Sequence, residues 1–314
     1  RDTVQPSDTQ TRSHRQQAAR KFVKGEAHLG PVHIHPAGHS IAVDARGKLF
    51  SFALWEGAVR QLGAPDGVRY RHGQWLDDGT IVVAVSDASG DERVVVFDGD
   101  SSRELPWDIG RVVAMRVAPR GRRVALANHR NEVLIGDLQD NKIMRVDRSE
   151  CGQSEDLAWA PDGAWLAYTF ATSTRHQAIK LHELATQTST MVTQPEFRDF
   201  SPSFDPAGRY LYFLSLRKFD PVYASVQFEL SFPRAARPYL IALQARGRPP
   251  FEPEPQSLAK RRSQDAEPKP TPAPAAVRVD LDGIVSRIAA FPVPENRFAK
   301  IAGAADEQVV WSIA

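Results

Sequence analysis

The sequence predicts an all-β protein, a β-propeller of four-stranded antiparallel blades. Three observations support this fold class: a tight-turn motif that recurs at a nearly constant period, matched apolar positions on both sides of each turn, and further β-type segments that complete each period. The chain has 314 residues, of which 42% are hydrophobic and 25% charged. Such a composition can fill a core and excludes wholesale disorder.

The turn motif places Pro or Asp shortly before a Gly and occurs five times. Its glycines are spaced by 41, 42, 42 and 45 residues, and they are Gly38, Gly79, Gly121, Gly163 and Gly208. Proline presets the first turn dihedral and glycine supplies a positive φ, so each motif can join two antiparallel strands tightly. We therefore expect a β-hairpin at each of the five positions.

The flanks of the turns alternate between apolar and polar residues. The residue four positions before each Gly is large and apolar: Ile34, Trp75, Val117, Trp159 and Phe204. The residue before that one is small or polar: His33, Gln74, Arg116, Ala158 and Ser203. This period of two is typical of strands with one buried face. We expect Trp75 and Trp159 to be buried between neighbouring blades.

A third strand follows each hairpin, and a fourth, less regular one follows it, such as Lys142–Asp147. The third strands are expected at Gly47–Phe52, Arg93–Asp98, Glu132–Asp137, Ala178–Glu183 and Pro238–Leu243. Four strands in about 42 residues is the length of a propeller blade, whose faces must be covered by neighbouring blades. The alternative is a large β-sandwich, which would not need a constant period.

The segment Phe298–Ala302, a turn and then Gln308–Ser312 resemble the opening of a sixth unit. The sequence thus predicts about five complete blades and the start of another, an incomplete ring. The chain begins without Met and ends within a strand-like segment, so we expect it to be a piece of a longer polypeptide.

Two segments break the repeat. Residues 1–24 are polar and are expected to form an N-terminal arm or the outer strand of a preceding propeller, which leaves residues 25–314 for the propeller itself. Residues 246–276 contain eight of the 23 prolines and the basic run Lys260–Arg262. This insertion in the fifth blade is expected to be extended and mobile.

Composition also limits the partners and the compartment. The net charge is +2, from 40 basic and 38 acidic residues, which gives no reason to expect nucleic acid or an anionic membrane as a partner. The longest apolar runs, such as Ile81–Val85, are far shorter than the ~18 residues of a membrane span. The single Cys151 cannot form an internal disulfide, which fits a reducing compartment.

One histidine cluster could bind a metal ion. His33 and His35 are two residues apart in a predicted strand, with His39 nearby, so a ligand pair is geometrically possible. No carboxylate or cysteine with ligand spacing accompanies them. Because the equivalents of His33 in the other blades are merely polar or small, we interpret this position as a generic polar slot and predict no metal.

Other candidate motifs are incomplete. Asp98-Gly99-Asp100 and Asp280-Leu281-Asp282-Gly283 resemble fragments of calcium loops but lack the remaining ligands, so they are expected to be turns. Cys151 has no recognisable His and Asn partners, and His182-Glu183 lacks the second His of a zinc motif. The sequence predicts no catalytic, cofactor-binding or metal-binding residue. In propellers, function usually lies in the central channel and in the loops at its ends.

The blade signature Ala160–Tyr168 resembles the repeat of tricorn proteases, prolyl-oligopeptidase-type propellers and bacterial translocation-type propellers. Longer segments in the same order narrow the resemblance to the tricorn proteases and cover nearly the whole chain. These segments are Ala45–Phe50, Phe200–Pro206, Leu214–Arg217, Asp220–Tyr223, Phe228–Arg234, Arg237–Leu240, Val279–Ile284, Arg287–Ile288 and Phe291–Pro294.

The resemblance implies the seven-bladed propeller that follows a six-bladed one in this family. It also implies a cytoplasmic, homohexameric serine peptidase acting on oligopeptides, whose nucleophilic Ser and its His and Glu partners lie in downstream domains. No position here matches those residues, and the Pro-rich insertion 246–276 departs from the compact loop of the family. The chain would then filter or guide peptides toward a distant active site. The alternative is a stand-alone propeller that binds proteins and has no peptidase.

Overall fold

The computed structural model describes residues 24–217, 221–223, 230–231, 235–247, 249–251 and 276–314. All but the last residue of the 1–24 arm, and most of the insertion at 246–276 with its Lys260–Arg262 run, lie outside the described residues. The same is true of most of the segment Phe228–Arg234. The expectations for these segments remain sequence predictions.

The first three blades are separate four-stranded antiparallel sheets whose strands follow chain order. Blade 1 consists of β1 (Leu29–Ile34), β2 (Ser40–Ala45), β3 (Lys48–Ala53) and β4 (Arg60–Leu62). Blade 2 consists of β5 (Tyr70–Trp75), β6 (Ile81–Ser86), β7 (Arg93–Asp98) and β8 (Ser101–Glu104). Blade 3 consists of β9 (Val112–Val117), β10 (Arg123–Asn128), β11 (Glu132–Asp137) and β12 (Lys142–Arg148).

The next two blades are joined at one point, where Gln177 of blade 4 pairs in parallel with Arg198 of blade 5. Blade 4 consists of β13 (Leu157–Trp159), β14 (Trp165–Ala171), β15 (Gln177–Glu183) and β16 (Thr188–Met191). Blade 5 consists of β17 (Arg198–Phe204), β18 (Tyr210–Leu216), β21 (Ala236–Ala242) and β22 (Ile288–Ala290), with the short hairpin β19 (Val222–Tyr223) and β20 (Leu230–Ser231) between β18 and β21.

The start of a sixth blade follows as the hairpin β23 (Phe298–Gly303) and β24 (Val309–Ile313). Two four-residue 3-10 helices, Gly25–His28 and Ile284–Arg287, complete the described elements. No helix in the described ranges has the length and apolar character needed to cross a bilayer.

The structure confirms the propeller fold and its five predicted turns. Each turn glycine has a φ between 68° and 80°, the left-handed region that glycine adopts without a Cβ clash. The turn at Gly163 shows how such a hairpin closes, since the Gly163 N–H donates to the Ala160 carbonyl at 2.9 Å and the Ala160 N–H donates to the Trp165 carbonyl at 2.8 Å.

Each seam between consecutive blades contains an apolar cluster built from both neighbours. At the seam between blades 3 and 4, for example, Ala125 of blade 3 belongs to the same cluster as Leu166 and Trp159 of blade 4. Fully burying one large aliphatic side chain stabilises a fold by about 1.5–3 kcal/mol. The blades therefore depend on their neighbours, as the repeat period predicts.

The tryptophan prediction is confirmed for Trp159 and needs correction for Trp75. Trp159 is only 9% exposed, whereas Trp75 is partly buried, with its ring edge-on to His35 of blade 1 at 4.8 Å. The equivalent Ile34 of blade 1 is 64% exposed, because no described blade covers the face of β1 that points away from blade 2. Burial in this slot thus requires a preceding blade.

Candidate functional site: the inner strands and the connector face

The first strand of each blade is the innermost one. Consecutive first strands, from β1 to β5, β9, β13, β17 and β23, contact one another along the propeller axis. The connectors between blades and the turns between second and third strands share one end of the propeller, because four antiparallel strands return the chain to the end at which it entered. We call this end the connector face.

Side chains of the inner strands bond to the neighbouring blade. The Gln74 amide donates to the Met115 carbonyl at 2.7 Å and accepts from the Val117 N–H at 3.0 Å. The Ser203 hydroxyl, in the equivalent slot of blade 5, accepts from the Gly303 N–H at 3.1 Å. The polar slot predicted from the repeat thus links consecutive inner strands in these two blades.

The apolar slot links blades in the opposite direction. The Trp159 indole N–H donates to the Arg116 carbonyl of the preceding blade at 3.0 Å. Gln74 and Ser203 thus bond to the following inner strand, whereas Trp159 bonds to the preceding one, and neighbouring side chains can do this because they alternate along a strand. This arrangement fixes the spacing of the inner strands.

Two inner strands contain residues in the left-handed region. His72 in β5 has a φ of 57° and Ser201 in β17 a φ of 53°, each at a shift of strand register. Such a bulge re-aims side chains, and a non-glycine residue in this conformation costs roughly 1–3 kcal/mol. Ser201 is held there by two contacts: its N–H donates to Asp156 at 2.9 Å and its hydroxyl accepts from the Ile301 N–H at 3.2 Å.

His33, His72 and Arg116 lie on the three successive inner strands β1, β5 and β9, and their charges affect one another's pKa. The pKa of both His33 and His72 is lowered to about 4, first by burial and then by positive charge, that of Arg116 at His33 and those of Arg71 and Arg116 at His72. Both imidazoles are therefore neutral at pH 7, and Arg116 carries the positive charge of this group. Within the described part of the chain, His72 Nε2 has no hydrogen-bond partner.

An ion pair spans blade 5 on the connector face. Lys300 Nζ, at the start of β23, lies 2.8 Å from the Asp156 carboxylate in the connector between blades 3 and 4. Asp156 also accepts from the Ser201 N–H of blade 5. One carboxylate thus connects blade 4 to both of the next two inner strands.

The described residues form hollows on the connector face. One of about 680 Å³ lies between blades 2 and 3, with Trp107, Arg111 and Arg130 among its walls. Two others, of about 330 and 340 Å³, lie at blades 4 and 5 and share the residues Glu155, Gln177 and Arg198.

The histidines singled out in the sequence separate into different environments. His35 Nδ1 accepts from the Ala37 N–H at 3.0 Å, so its Nε2 carries the proton and donates to the Gly79 carbonyl at 2.6 Å. His39 lies beside it and bonds to Ser40, whereas His33 belongs to the group around Arg116. Across the described residues no three His, Cys, Asp or Glu side chains are arranged to hold a metal ion.

The two aspartate motifs lie in turns, as expected. Asp100, in the turn between β7 and β8, forms an ion pair with Arg60. Asp280 accepts from the Ala245 N–H at 2.7 Å, and Gly283 adopts a φ of 64° at the start of a 3-10 helix. These contacts account for the two motifs as local structure.

Cys151 and His182 have local partners. Cys151 is exposed, and its thiol lies 3.6 Å from the Thr172 carbonyl. His182 is buried in β15, where its Nδ1 lies 3.0 Å from the Ser189 hydroxyl. Among the described residues, the other ring nitrogen of His182, Nε2, has no hydrogen-bond partner.

Sequence reasoning missed Asp156, Arg198 and Lys300. They lie at the ends of strands or in connectors, outside the repeat positions on which the alignment of blades depends. Their sequence separations, 144 residues for Lys300 and Asp156, leave no local pattern. Only the angular order of the blades brings them together.

Comparisons with known proteins agree with this architecture. A family profile described as "Tricorn protease second beta propeller domain" matches residues 29–314. The tricorn protease homolog of Saccharolobus solfataricus is 32% identical over 309 residues, which cover 98% of this chain and 27% of that protein. The tricorn protease homolog 1 of Streptomyces coelicolor is 37% identical over 279 residues, covering 86% of this chain and 26% of that protein.

The crystal structure of the tricorn protease has the same fold over most of the chain. The TM-score is 0.72 at 22% sequence identity, and the match covers 88% of this chain and 26% of that one. This chain therefore spans less than a third of the length of the relatives that it matches. On the profile match and these identities, it belongs to the family of the second β-propeller domain of tricorn proteases.

Proposed function

We propose that this chain is the non-catalytic propeller part of a tricorn-like serine peptidase that degrades oligopeptides. It would filter peptide substrates or guide them through its channel to an active site elsewhere in the polypeptide. The observation that carries the proposal is the family match over residues 29–314, and the inner strand β9 adds the exposed, charged side chain of Arg116.

The physical basis is that the channel selects substrates by their size and by whether their backbone is extended. A channel lined by closely spaced inner strands admits an extended chain and excludes a folded domain. Polar groups such as Arg116 can replace part of the hydration of a passing peptide, so entry of polar peptide groups costs less free energy. We further propose a cytoplasmic, homohexameric parent enzyme, by analogy with the family.

The test compares the isolated chain with the intact polypeptide that contains it. We expect no peptide hydrolysis by the isolated chain and hydrolysis sensitive to serine-directed reagents by the intact polypeptide, measured with a short fluorogenic peptide and a longer oligopeptide. Serine-reagent-sensitive hydrolysis by the isolated chain, after exclusion of contaminating proteases, would overturn the proposal. An intact polypeptide without peptidase activity would favour the stand-alone interaction propeller.

A variant of the inner strands tests the guiding role separately. We expect Arg116→Ala to change kcat/KM for the longer oligopeptide and to leave the short peptide nearly unchanged, because a very short peptide needs few contacts along the channel. The exposed Arg103 on the outer strand β8 supplies the control variant Arg103→Ala. Equal effects of both variants on both substrates would contradict the guiding role.

A further inference from the structure

We propose that the connector face carries a docking groove for extended oligopeptides in which an acidic and a large apolar side chain are two positions apart. The groove consists of the two hollows at blades 4 and 5 that share Glu155, Gln177 and Arg198. The inference rests on the proposed function, for which it names a class of preferred substrate and a docking site outside the channel.

The two hollows adjoin at the three residues that line both of them. The outer one is bounded by the turn that contains His176, and the inner one reaches Lys300 on the first strand of the sixth blade. Because the first strands surround the axis, a chain that follows the groove arrives at the end of the channel. The shared residues in the middle would contact any peptide that occupies both parts.

The middle of the groove is built on fixed backbone. Gln177 pairs in parallel with Arg198, and the Gln177 N–H donates to the Phe197 carbonyl at 2.9 Å, which joins the sheets of blades 4 and 5. Arg198 also pairs with Leu216 across β17 and β18. Side chains that begin from paired strands hold their positions better than side chains on a free loop.

The spacing of two floor residues matches an extended peptide. Arg198 and Phe200 are two residues apart on β17, so they lie on the same face of the strand and about 6.6 Å apart along it. Alternate side chains of a bound extended peptide have the same separation. Phe200 and Leu216 are partly buried and line the inner hollow, so they present apolar surface beside Arg198.

The charges of the groove favour an acidic side chain at Arg198. Arg198 is exposed, and no carboxylate in the described ranges lies within salt-bridge distance of it. Asp156, the nearby acid on the inner side, is already paired with Lys300. A peptide carboxylate at Arg198 would form a charge-assisted hydrogen bond, and the neighbouring apolar side chain would cover Phe200.

The charge of Glu155 limits how acidic the peptide can be. Glu155 lines both hollows and is exposed, and it would repel a second carboxylate in the middle of the groove. We therefore expect a single acidic side chain beside an apolar one to bind better than a run of acidic residues. This expectation distinguishes the groove from a general anion-binding surface.

The test measures binding directly, without hydrolysis. Fluorescence anisotropy with the 314-residue chain would compare labelled eight-residue peptides containing Glu-Ser-Leu, Lys-Ser-Leu or Glu-Leu-Ser in an otherwise identical Gly/Ser background. We expect the Glu-Ser-Leu peptide to bind at least about tenfold more tightly than the other two, a difference of about 1.4 kcal/mol. Equal affinity for all three peptides, or no binding of any, would overturn the inference.

A charge reversal assigns the preference to Arg198. We expect R198E to favour the Lys-Ser-Leu peptide, R198Q to bind both charged peptides weakly, and the exposed outer-strand variant R103E to behave as wild type. Because Arg198 is exposed, circular dichroism should show folded protein for each variant. If folded R198E still preferred the Glu-Ser-Leu peptide, the proposed site would be refuted. The selectivity of the intact enzyme for long peptides tests the channel instead, so a failure of that test would not change the binding result.

Discussion

Among single residues, Trp159 makes two different contributions to the seam between blades 3 and 4. Its ring packs in the apolar cluster of the seam, and its indole N–H donates to the Arg116 carbonyl at 3.0 Å. Replacement by alanine removes both and leaves a cavity that paired strands cannot close. Replacement by phenylalanine removes the hydrogen bond and retains most of the packing.

We expect Trp159→Ala to lower the free energy of unfolding by ~3–5 kcal/mol, because truncation of a large buried aromatic residue leaves a cavity. Trp159→Phe should cost about 1 kcal/mol, the net value of one hydrogen bond. Trp75→Ala should cost less than Trp159→Ala, since Trp75 is only partly buried. Urea unfolding followed by far-ultraviolet circular dichroism, which reports on the backbone, measures all three free energies. A loss under about 1 kcal/mol for Trp159→Ala would contradict the burial of Trp159 in the seam.

The pH dependence of stability has a definite sign at His33 and His72. Their pKa is about 4 in the folded chain, because burial disfavours the imidazolium, followed by Arg116 at His33 and by Arg71 and Arg116 at His72, while the unfolded value is about 6.5. The unfolded state therefore binds more protons. Their contribution to stability is complete above about pH 6.5 and is lost as the pH falls toward 4.

We expect the free energy of unfolding to fall less between pH 7 and pH 5 in a His33→Gln/His72→Asn variant than in the wild type. Glutamine occupies the equivalent slot at Gln74, and asparagine tolerates the positive φ of His72. Urea titrations at the two pH values give the difference, with the exposed His28→Gln as the control. Parallel pH profiles for the double variant and the wild type would refute the assignment.

At the level of elements, the repeat predicted strands better than connectors. The third strands of blades 2 and 3 lie at the predicted residues Arg93–Asp98 and Glu132–Asp137, because period-two alternation follows directly from strand geometry. The connector containing Trp107 gave no such signal, although this residue is only 3% exposed. Its burial depends on a partner in another strand, Gly136, which no local pattern connects to it.

Gly136 makes room for Trp107 in the seam between blades 2 and 3. A Cβ at Gly136 would lie 2.3 Å from the Trp107 ring. We expect Gly136→Ala to destabilise the chain by ~1–3 kcal/mol through overpacking, and Trp107→Leu to relieve much of that cost in the double variant. Gly25→Ala is the matched control, since nothing lies within 4 Å of a Cβ there.

Thermal or urea unfolding of the four proteins gives the coupling between Gly136 and Trp107. A coupling below about 0.5 kcal/mol would mean that the two residues act independently. In that case the fit of ring against glycine would not explain why the connector is buried.

For the whole molecule, the sequence predicted the propeller and the polar slot of its inner strands but not the groove. The position of Gln74 could be recognised in the sequence because an equivalent position recurs in each blade. The groove combines Glu155, Arg198 and Lys300 from a connector and two blades, so its members share no period. Surfaces that depend on the angular order of blades require the structure.

Under the proposed function, the seams between blades and the peptide channel should be coupled in the intact polypeptide. Trp159 and Gln74 bond to neighbouring inner strands and so help to fix the distance between them. A charged residue in place of Trp159, or an apolar one in place of Gln74, should therefore increase this distance locally. We expect Trp159→Asp and Gln74→Leu to change the ratio of kcat/KM for a long oligopeptide to that for a short fluorogenic peptide. The short peptide should be affected little, because the proposed function places the chemistry in another part of the polypeptide. Trp159→Phe is the control that retains the apolar packing of the seam. Folded seam variants with the wild-type ratio would show that the propeller does not select substrates.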